Sequence, residues 1–274
     1  MSESCEMYPD FVVICSFLDI FGKCLENKGD KEIPSPLTLK SWLEQGIGFR
    51  SQRRRPTQLS EFLFKLLHCY VRGDKQRCKD IGQLDEFLIS FIWTFGHKNQ
   101  GFWLRDYGFD NIPLKEKLVI VRQLLEFQLD HNKTIFESAA LAKGPDIRHE
   151  PLGRDCLGNY YWHFVEGKSS LVIKEIVHEG SLPFCQTIKS QAAAQKLIQH
   201  ITECKPDKNM KLDELSNREA RKQPFLTCGE CDKKFKLMQV NDTRIKFDNP
   251  EWICPKCENT QLLNTVSELF LREE

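Results

Sequence analysis

The sequence predicts a mainly helical protein with a small α+β part and a C-terminal module built around four cysteines. Three observations predict this fold class. Apolar residues recur at helical spacing through the first half of the chain, a glycine-containing turn runs directly into aromatic residues near position 160, and two Cys-x-x-Cys pairs lie near the C-terminus. With 274 residues, 41% of them hydrophobic, the chain is long enough for two or three compact units.

The N-terminal part, residues 9–110, is predicted to be a helical bundle. A first helix begins near Pro9, where Asp10 is placed to cap it, and weakens near Gly22. A short helix is expected over residues 37–44. Two longer amphipathic helices follow, and their apolar positions are Leu59, Phe62, Leu63, Leu66, Leu67 and Tyr70 in one and Leu84, Phe87, Leu88, Phe91, Ile92 and Phe95 in the other.

The next region, residues 111–204, combines helices with a hairpin. A helix that starts after Pro113 is expected to bury Leu118, Val121, Leu125 and Leu129, and another helix follows over 132–142. A hairpin is predicted over 147–178, with its second strand over 171–177, and a helix over 187–204 closes the unit. Residues 205–224 are polar and are expected to form a linker or an exposed helix, ahead of a four-cysteine module over 225–265.

The hairpin segment, Pro151 to Phe164, is the most informative stretch of the chain. Gly153 and Gly158 can adopt the positive φ values of a tight turn, and Asp155 and Asn159 can hydrogen-bond nearby backbone. The aromatic residues that follow favour a half-buried strand. From this pattern alone, a turn and strand that only serve the core is the favoured interpretation.

The same segment resembles the Leu-Gly-x-Asp…Gly-x-x-Tyr-Trp core of the WHIM motif, which occurs in non-catalytic subunits of ISWI-type chromatin remodellers. The helix opening Phe11-Val-Val-Ile-Cys-Ser-Phe-Leu18 resembles the start of the DDT domain that precedes WHIM segments in those subunits. Residues 114–136 resemble the first WHIM element. The resemblance covers most of residues 9–204, and its order along the chain carries more weight than any single motif.

This resemblance implies a function. The chain is expected to be a nuclear, non-catalytic subunit that bridges an ISWI-family ATPase and nucleosomal linker DNA, with the DNA contact direct or indirect. It also implies that Gly153, Arg154 and Asp155 help to form the surface that meets the ATPase and DNA. Arg154 suits a phosphate or a partner carboxylate. Asp155, taken alone, is better explained as a cap of the turn than as a ligand contact.

Four cysteines near the C-terminus have metal-ligand spacing. Cys228 and Cys231 form one Cys-x-x-Cys pair, and Cys254 and Cys257 form a second pair after 22 intervening residues. Two such knuckles make one closed tetrahedral site, which suits a single structural Zn²⁺. Phe225, Phe235, Phe247 and Trp252 are expected to form a small core around it. Reduced cysteines without metal and a redox pair are the alternatives, although a redox pair needs a βαβ setting that the pattern does not indicate.

The end of this module, Glu251 to Cys257, also resembles the end of a PHD finger. Residues 232–253 contain neither Cys nor His, so a second zinc ion has no ligands there. A single-zinc, ribbon-like module is therefore the preferred prediction.

A basic cluster formed by Arg50, Arg53, Arg54 and Arg55 suits a nuclear import signal or a phosphate-contacting patch. A solvated loop explains it equally well. The 39 basic and 39 acidic side chains balance, so any DNA contact must be local.

Catalysis is not expected. The sequence contains no Gly-rich phosphate loop, no serine nucleophile elbow and no ATPase motif, and its seven histidines show no pairing that suggests a site. The apolar run of residues 11–21 is interrupted by Asp19, so it makes a poor signal peptide, and no segment of the sequence is long enough to cross a bilayer. We therefore expect no membrane and no small-molecule substrate. The alternative function is a zinc-ribbon transcription or nucleic-acid-binding factor with a helical interaction scaffold.

Overall fold

A computed structural model describes residues 3–26, 33–44, 57–71, 83–142, 149–166, 169–175, 184–204, 214–220, 225–236 and 252–271. The chain divides into two compact units, Met1–His149 and Glu150–Glu274. The basic cluster of Arg50, Arg53, Arg54 and Arg55 lies outside the described residues.

The first unit is helical wherever the structure describes it. Short 3₁₀ helices over Cys5–Met7 and Gly22–Leu25 flank its first α-helix. The α-helices are α1 (Pro9–Phe21), α2 (Pro36–Glu44), α3 (Gln58–Val71), α4 (Leu84–Phe95), α5 (Lys98–Asn111), α6 (Leu114–His131) and α7 (Lys133–Leu141).

Helix α6 is central to the packing of this unit. It packs against α1, α3 and α7, while α3 also packs against α4, and α4 against α5. The side chains at the predicted helical spacing are removed from water, as shown by Phe11, Leu66, Phe91 and Leu118, all 0% exposed. Burying each such side chain stabilises the fold by about 1.5–3 kcal/mol. The predicted helical bundle is thus confirmed.

Two local expectations are wrong. Asp10 does not cap α1, since Tyr8 occupies the cap position and the Asp10 carboxylate instead accepts a 2.7 Å hydrogen bond from Arg122 Nη1 of α6. Leu129 does not belong to the buried stripe of α6, because it lies near the end of the helix and remains 36% exposed.

Helix α5 was not predicted. It contains two glycines and several aromatic residues, so its apolar positions do not define a clear stripe. Gly108 has φ +72° inside the helix, where it interrupts the helical backbone, and a glycine tolerates that conformation at little cost.

The second unit begins with a four-stranded antiparallel sheet in the order β1-β2-β3-β4. Tyr161 pairs with Gly153 on one side and with Lys174 on the other, which fixes the register of the first three strands. The strands are β1 (Gly153–Arg154), β2 (Tyr160–Glu166), β3 (Ser169–Glu175) and β4 (Phe184–Ile188).

Helix α8 (Gln191–Glu203) follows the sheet and is shorter than the predicted 187–204, because its first residues belong to β4. The Ser190 side chain caps it by accepting from the backbone N–H of Ala193. A second long helix, α10 (Pro255–Leu271), packs against α8 and β1. The two helices and the sheet share one core, formed by Tyr161, Val172, Ile188, Ala194, Leu197, Ile201, Leu262 and Val266.

A smaller sheet precedes α10. Its order is β5-β7-β6, all antiparallel, with a short helix, α9 (Asn217–Ala220), after β5. The strands are β5 (Glu214–Leu215), β6 (Phe225–Thr227) and β7 (Lys234–Lys236). The predicted fold class is confirmed: the protein is mainly helical, with a small sheet part and a C-terminal cysteine cluster.

Candidate metal centre and hairpin

The four predicted metal ligands come together in the second unit. Cys228 and Cys231 lie on the turn between β6 and β7, whereas Cys254 directly precedes α10 and Cys257 lies in its first turn. Their four Sγ atoms all lie within 4.8 Å of one another. Among the described residues, no other group of three or more potential ligands is so close.

The backbone shapes the first knuckle. Cys228 N donates to Lys233 O at 2.9 Å, and Asp232 N donates to Cys228 O at 3.0 Å. Asp232 has φ +55°, a left-handed conformation that lets the chain reverse tightly. The knuckle is joined to the second cysteine pair because Gly229 N donates to Trp252 O at 2.9 Å.

Cys228 differs from two of the cysteines around it: burial raises the pKa of Cys254 and of Cys257, whereas hydrogen bonds lower the pKa of Cys228. Burial raises the pKa of its thiol, but the backbone N–H groups of Cys254, Cys231 and Glu230 outweigh burial and bring the pKa to about 7. The N–H of Cys254 lies 3.2 Å from Cys228 Sγ. A thiolate is the form that ligates a metal ion.

The spacing of the sulfurs also fits a metal ion. Four thiolates at about 2.3 Å from a tetrahedral ion lie roughly 3.8 Å from one another. The Cys231 and Cys254 sulfurs are 4.0 Å apart, and all four cysteines are free thiols. The cluster therefore has the composition and spacing of a four-thiolate metal site.

The small core around this cluster is only partly the predicted one. Phe235 and Trp252 pack edge to face, with their ring centroids 5.6 Å apart, beside the cysteines. Phe225 does not join them: it is 39% exposed and lies under the Lys234 ammonium. Phe247 lies outside the described residues.

Asp155 is the centre of the hairpin turn. Its side chain is fully buried, and Oδ1 accepts from the backbone N–H groups of Leu157 and Asn159 at 2.9 and 3.0 Å. The amide of Asn159 donates to both carboxylate oxygens, and the Lys174 ammonium lies 3.9 Å from Oδ2. Asp155 thus caps and fixes the turn, as its residue type predicts.

Tyr161, Cys204 and His200 surround the same carboxylate region. Tyr161 OH lies 3.4 Å from Asp155 Oδ2, and burial raises the pKa of Tyr161 far above its ordinary value. Cys204 Sγ lies 3.5 Å from the same oxygen. Burial, together with the Lys174 charge, lowers the pKa of His200. This buried polar network makes the turn rigid.

Arg154 and Gly153 face α10. Arg154 Nη1 lies 3.3 Å from Glu258 Oε1, its guanidinium stacks 4.6 Å from the Tyr160 ring centroid, and its side chain is only 14% exposed. The position of a Cβ on Gly153 would be 3.2 Å from the Leu262 Cβ. The structure therefore places Gly153 and Arg154 against α10, whereas Asp155 points into the buried network of the turn. Their role in partner binding stays a prediction.

Helix α10 was not predicted from the sequence, although it packs against β1 of the hairpin. Besides Glu258 and Leu262, Asn259 accepts a hydrogen bond from the Cys156 backbone N–H at 3.3 Å. The signal was present, because Leu262, Val266 and Phe270 recur at helical spacing after Pro255. The predicted four-cysteine module ends at residue 265, which lies inside this helix.

Comparison with known proteins finds a partial relative among chromatin-remodelling factors. Human Remodeling and spacing factor 1 is 27% identical to this chain over 158 residues, which are 57% of the chain and 10% of that protein. The chain is thus a partial, distant relative of a chromatin-remodelling factor, and the aligned segment spans about a tenth of that factor. No family model matches, and no solved structure gives a significant match. Among the described helices, none has the length and apolar character needed to span a membrane.

Proposed function

We propose that this chain is a non-catalytic nuclear subunit of an ISWI-type chromatin-remodelling complex, and that it bridges the ATPase and nucleosomal linker DNA. The observation that carries the proposal is the partial likeness to Remodeling and spacing factor 1. The resemblance of residues 9–204 to the DDT and WHIM order supports the same assignment. Its mechanism is geometric, since a rigid bridge biases where the motor moves a nucleosome without taking part in the chemistry.

The geometry of the hairpin supports such a bridge. The Asp155 network holds the turn, while Glu258 and Tyr160 hold the Arg154 guanidinium in one orientation. A side chain that is already ordered loses less conformational entropy on binding than a flexible one. Gly153, Arg154 and Asp155 thus form a prearranged element for a partner, with Arg154 as the charged contact and Asp155 as its internal support.

We also propose that the four cysteines hold one structural Zn²⁺. When bound, the ion supplies a closed four-thiolate link with no open coordination position. Cys254 directly precedes α10 and Cys257 lies in its first turn, so the link fixes the start of the helix that packs against β1. The metal centre then supports the hairpin, and does not act as a separate appendage.

Affinity purification of the full-length protein from nuclear extract, with nuclease present, tests this function. We expect a remodelling ATPase near one-to-one in the mass spectrum. The Arg154→Glu variant should lose it. The double variant Arg154→Glu/Glu258→Arg is the matched control, because it restores the internal ion pair while reversing its direction.

The double variant separates the two roles of Arg154. If the ATPase is still lost in the double variant, the partner requires the positive charge at position 154. If the double variant recovers binding, Arg154 acts only within the fold. Purification of transcription or RNA-processing factors without any remodelling ATPase would contradict the proposed function.

A second candidate is a zinc-ribbon transcription or nucleic-acid-binding factor, which the four-cysteine cluster favours. Lys233 and Lys256 are exposed beside the cysteines and offer a phosphate contact. In that case, Lys233→Glu/Lys256→Glu should abolish DNA binding while Arg154→Glu leaves it intact. If Arg154→Glu abolishes DNA binding and the double lysine variant retains it, the result supports the proposal of a remodelling subunit.

A further inference from the structure

Two cysteines outside the metal cluster lie together in the second unit. Cys156 is in the hairpin turn between β1 and β2, and Cys204 directly follows α8. Cys156 Sγ donates to the backbone O of Cys204 at 3.1 Å, and the two thiol groups are also hydrogen-bonded to each other. Both are free thiols. Because the two residues are 48 positions apart in the sequence, the fold itself brings their sulfurs into contact.

The surroundings hold both cysteines in place. The backbone N–H of Cys156 donates to Asn259 Oδ1 of α10 at 3.3 Å. Cys204 N donates to Ile201 O at 3.3 Å, and Cys204 Sγ lies 3.5 Å from Asp155 Oδ2. Cys156 is 5% exposed and Cys204 is half-buried. Thiols that are already fixed in contact need less movement to form a disulfide than thiols that must first be brought together.

The two thiols differ in acidity. The hydrogen bond with Cys204 lowers the pKa of Cys156, although burial and the charge of Asp155 oppose it, and the charge of Lys174 lowers this pKa further. The same hydrogen bond, together with burial and the charge of Asp155, raises the pKa of Cys204. A thiolate, and not a thiol, is the nucleophile in the oxidation of cysteine. The environment therefore favours Cys156 as the attacking sulfur and leaves the proton on Cys204.

We propose that Cys156 and Cys204 form a reversible disulfide when the protein meets a peroxide, which ties the hairpin turn to the end of α8. This modification site is additional to the bridging role proposed above and does not depend on it. The oxidant is hydrogen peroxide or an organic hydroperoxide.

The oxidation has two steps. In the first, the Cys156 thiolate attacks one oxygen of hydrogen peroxide, so that an S–O bond forms, the O–O bond breaks and the released hydroxide takes up the proton that Cys156 had lost. In the second, Cys204 Sγ attacks the Cys156 sulfenic acid, so that the S–S bond forms and the S–O bond breaks. The Cys204 proton leaves with the hydroxyl group as water. Each sulfur loses one electron, and the peroxide gains two.

Peptide mapping of the full-length protein tests the proposal. The protein is first reduced and loaded with zinc, freed of the reductant, treated with hydrogen peroxide, and then blocked with a maleimide. Trypsin releases Cys156 in the peptide 155–168 and Cys204 in the peptide 197–208, and each of these peptides contains a single cysteine. Mass spectrometry therefore identifies the partner of each sulfur directly, whatever happens at the metal cysteines.

We expect peptides 155–168 and 197–208 to be joined after peroxide treatment and to separate again in dithiothreitol. Recovery of both cysteines as maleimide adducts, at a peroxide dose that oxidises other cysteines of the chain, would overturn the proposal. So would the joining of Cys156 or Cys204 to a different cysteine, or their conversion to sulfinic acid without any disulfide.

The variant Cys204→Ser separates the two steps. Without the resolving sulfur, oxidation of Cys156 should stop at the sulfenic acid, which dimedone traps as an adduct on peptide 155–168. Cys185→Ser is the matched control, because Cys185 is a half-buried cysteine of the same unit that belongs to neither cysteine group. The control should form the same joined peptides as the wild type. Absence of the dimedone adduct in Cys204→Ser, or loss of the joined peptides in Cys185→Ser, would contradict the proposed steps.

The disulfide should also change stability. A bond between residues 48 positions apart restricts the unfolded chain, so peroxide should raise the urea midpoint of the second unit by about 1–2 M. Cys204→Ser treated with the same peroxide corrects for oxidation elsewhere, and an equal change in both proteins would count against the bond. Failure of the disulfide leaves the bridging role untouched. A disulfide without any remodelling ATPase in the purification removes only the bridging role.

Discussion

Gly153 lies against Leu262, so close that a Cβ at position 153 would be 3.2 Å from the Leu262 Cβ and 3.4 Å from its Cα. Gly153 also has φ +154°, a conformation that side-chain-bearing residues rarely adopt. Strand β1 and helix α10 meet at this point, within the core shared by Tyr161 and Val266.

We expect Gly153→Ala to destabilise the second unit by about 1–3 kcal/mol, since it adds a steric contact to backbone strain. Urea unfolding measures this. Gly108→Ala is the control: Gly108 has φ +72°, but nothing lies within 4 Å of its Cβ position. A Gly153→Ala cost no larger than the control cost would show that the contact with Leu262 does not matter.

Replacing Asp155 should be among the most harmful single changes in the second unit. Asp155→Asn removes the charge that faces Lys174 and turns an amide N–H₂ toward existing donors. We expect a loss of about 3–5 kcal/mol, because Lys174 then becomes a buried charge without its counter-ion. A thermal or urea unfolding series measures it.

The double variant Asp155→Asn/Lys174→Met should be compared with the single variant Asp155→Asn. Removing both charges should recover part of the loss, since no uncompensated charge remains. If the two losses simply add, the Asp155–Lys174 pair contributes nothing, and the backbone hydrogen bonds of the turn account for the whole effect.

The second unit should lose stability as the solution becomes acidic. Burial and the charge of Lys174 lower the pKa of His200 from its ordinary value of 6.5, although Asp155 and Glu203 oppose them. Below that value the unfolded chain binds a proton that the folded chain excludes, so the free energy of unfolding falls until the pH reaches the folded pKa. Above it, His200 is neutral in both states and contributes no pH dependence.

His200→Gln should therefore flatten the pH dependence below pH 6.5, the ordinary pKa of histidine. Urea unfolding of the two proteins at matched pH values measures the difference. The metal cysteines are the same in both proteins, so acid release of metal cancels. Parallel curves for the variant and the wild type would contradict the role of His200.

The metal prediction concerns both stoichiometry and stability. We expect one Zn²⁺ per chain by elemental analysis, and a Cys257→Ser variant that retains much less. Because Cys257 lies in the first turn of α10, loss of the metal should also lower the urea midpoint of the second unit. Cys24→Ser, in the first unit, is the control. Equal zinc in the two variants would contradict the four-cysteine site.

Much of the fold follows from periodic patterns in the sequence. Helices α1, α3, α4 and α6 and strand β2 were predictable because their apolar residues repeat at the spacing of one secondary structure. Helix α5 was not, since Gly101 and Gly108 interrupt its pattern. It forms because α4 covers it: Gly101 accommodates the close approach of the Trp93 ring, a tertiary contact that no local rule reveals.

The features of the candidate site were likewise predictable only in part. The four cysteines were predictable because metal-ligand spacing is a local signal. The pairing of Arg154 with Glu258 was not, since these residues are 104 positions apart and neither belongs to a distinctive motif. The capping role of Asp155 lies between these cases: its turn chemistry is local, but its contact with Lys174 depends on the register of β3.

The contact between β1 and α10 has a consequence for how the protein forms during synthesis. The ribosome releases the hairpin long before residues 255–271, yet Leu262 and Val266 of that late helix complete the core around Tyr161. Contacts across such long stretches of chain form slowly, because the intervening loop must first close. The emerging hairpin and α8 therefore expose apolar surface until the C-terminal helix arrives, and any expression fragment that stops before Cys254 keeps that surface exposed.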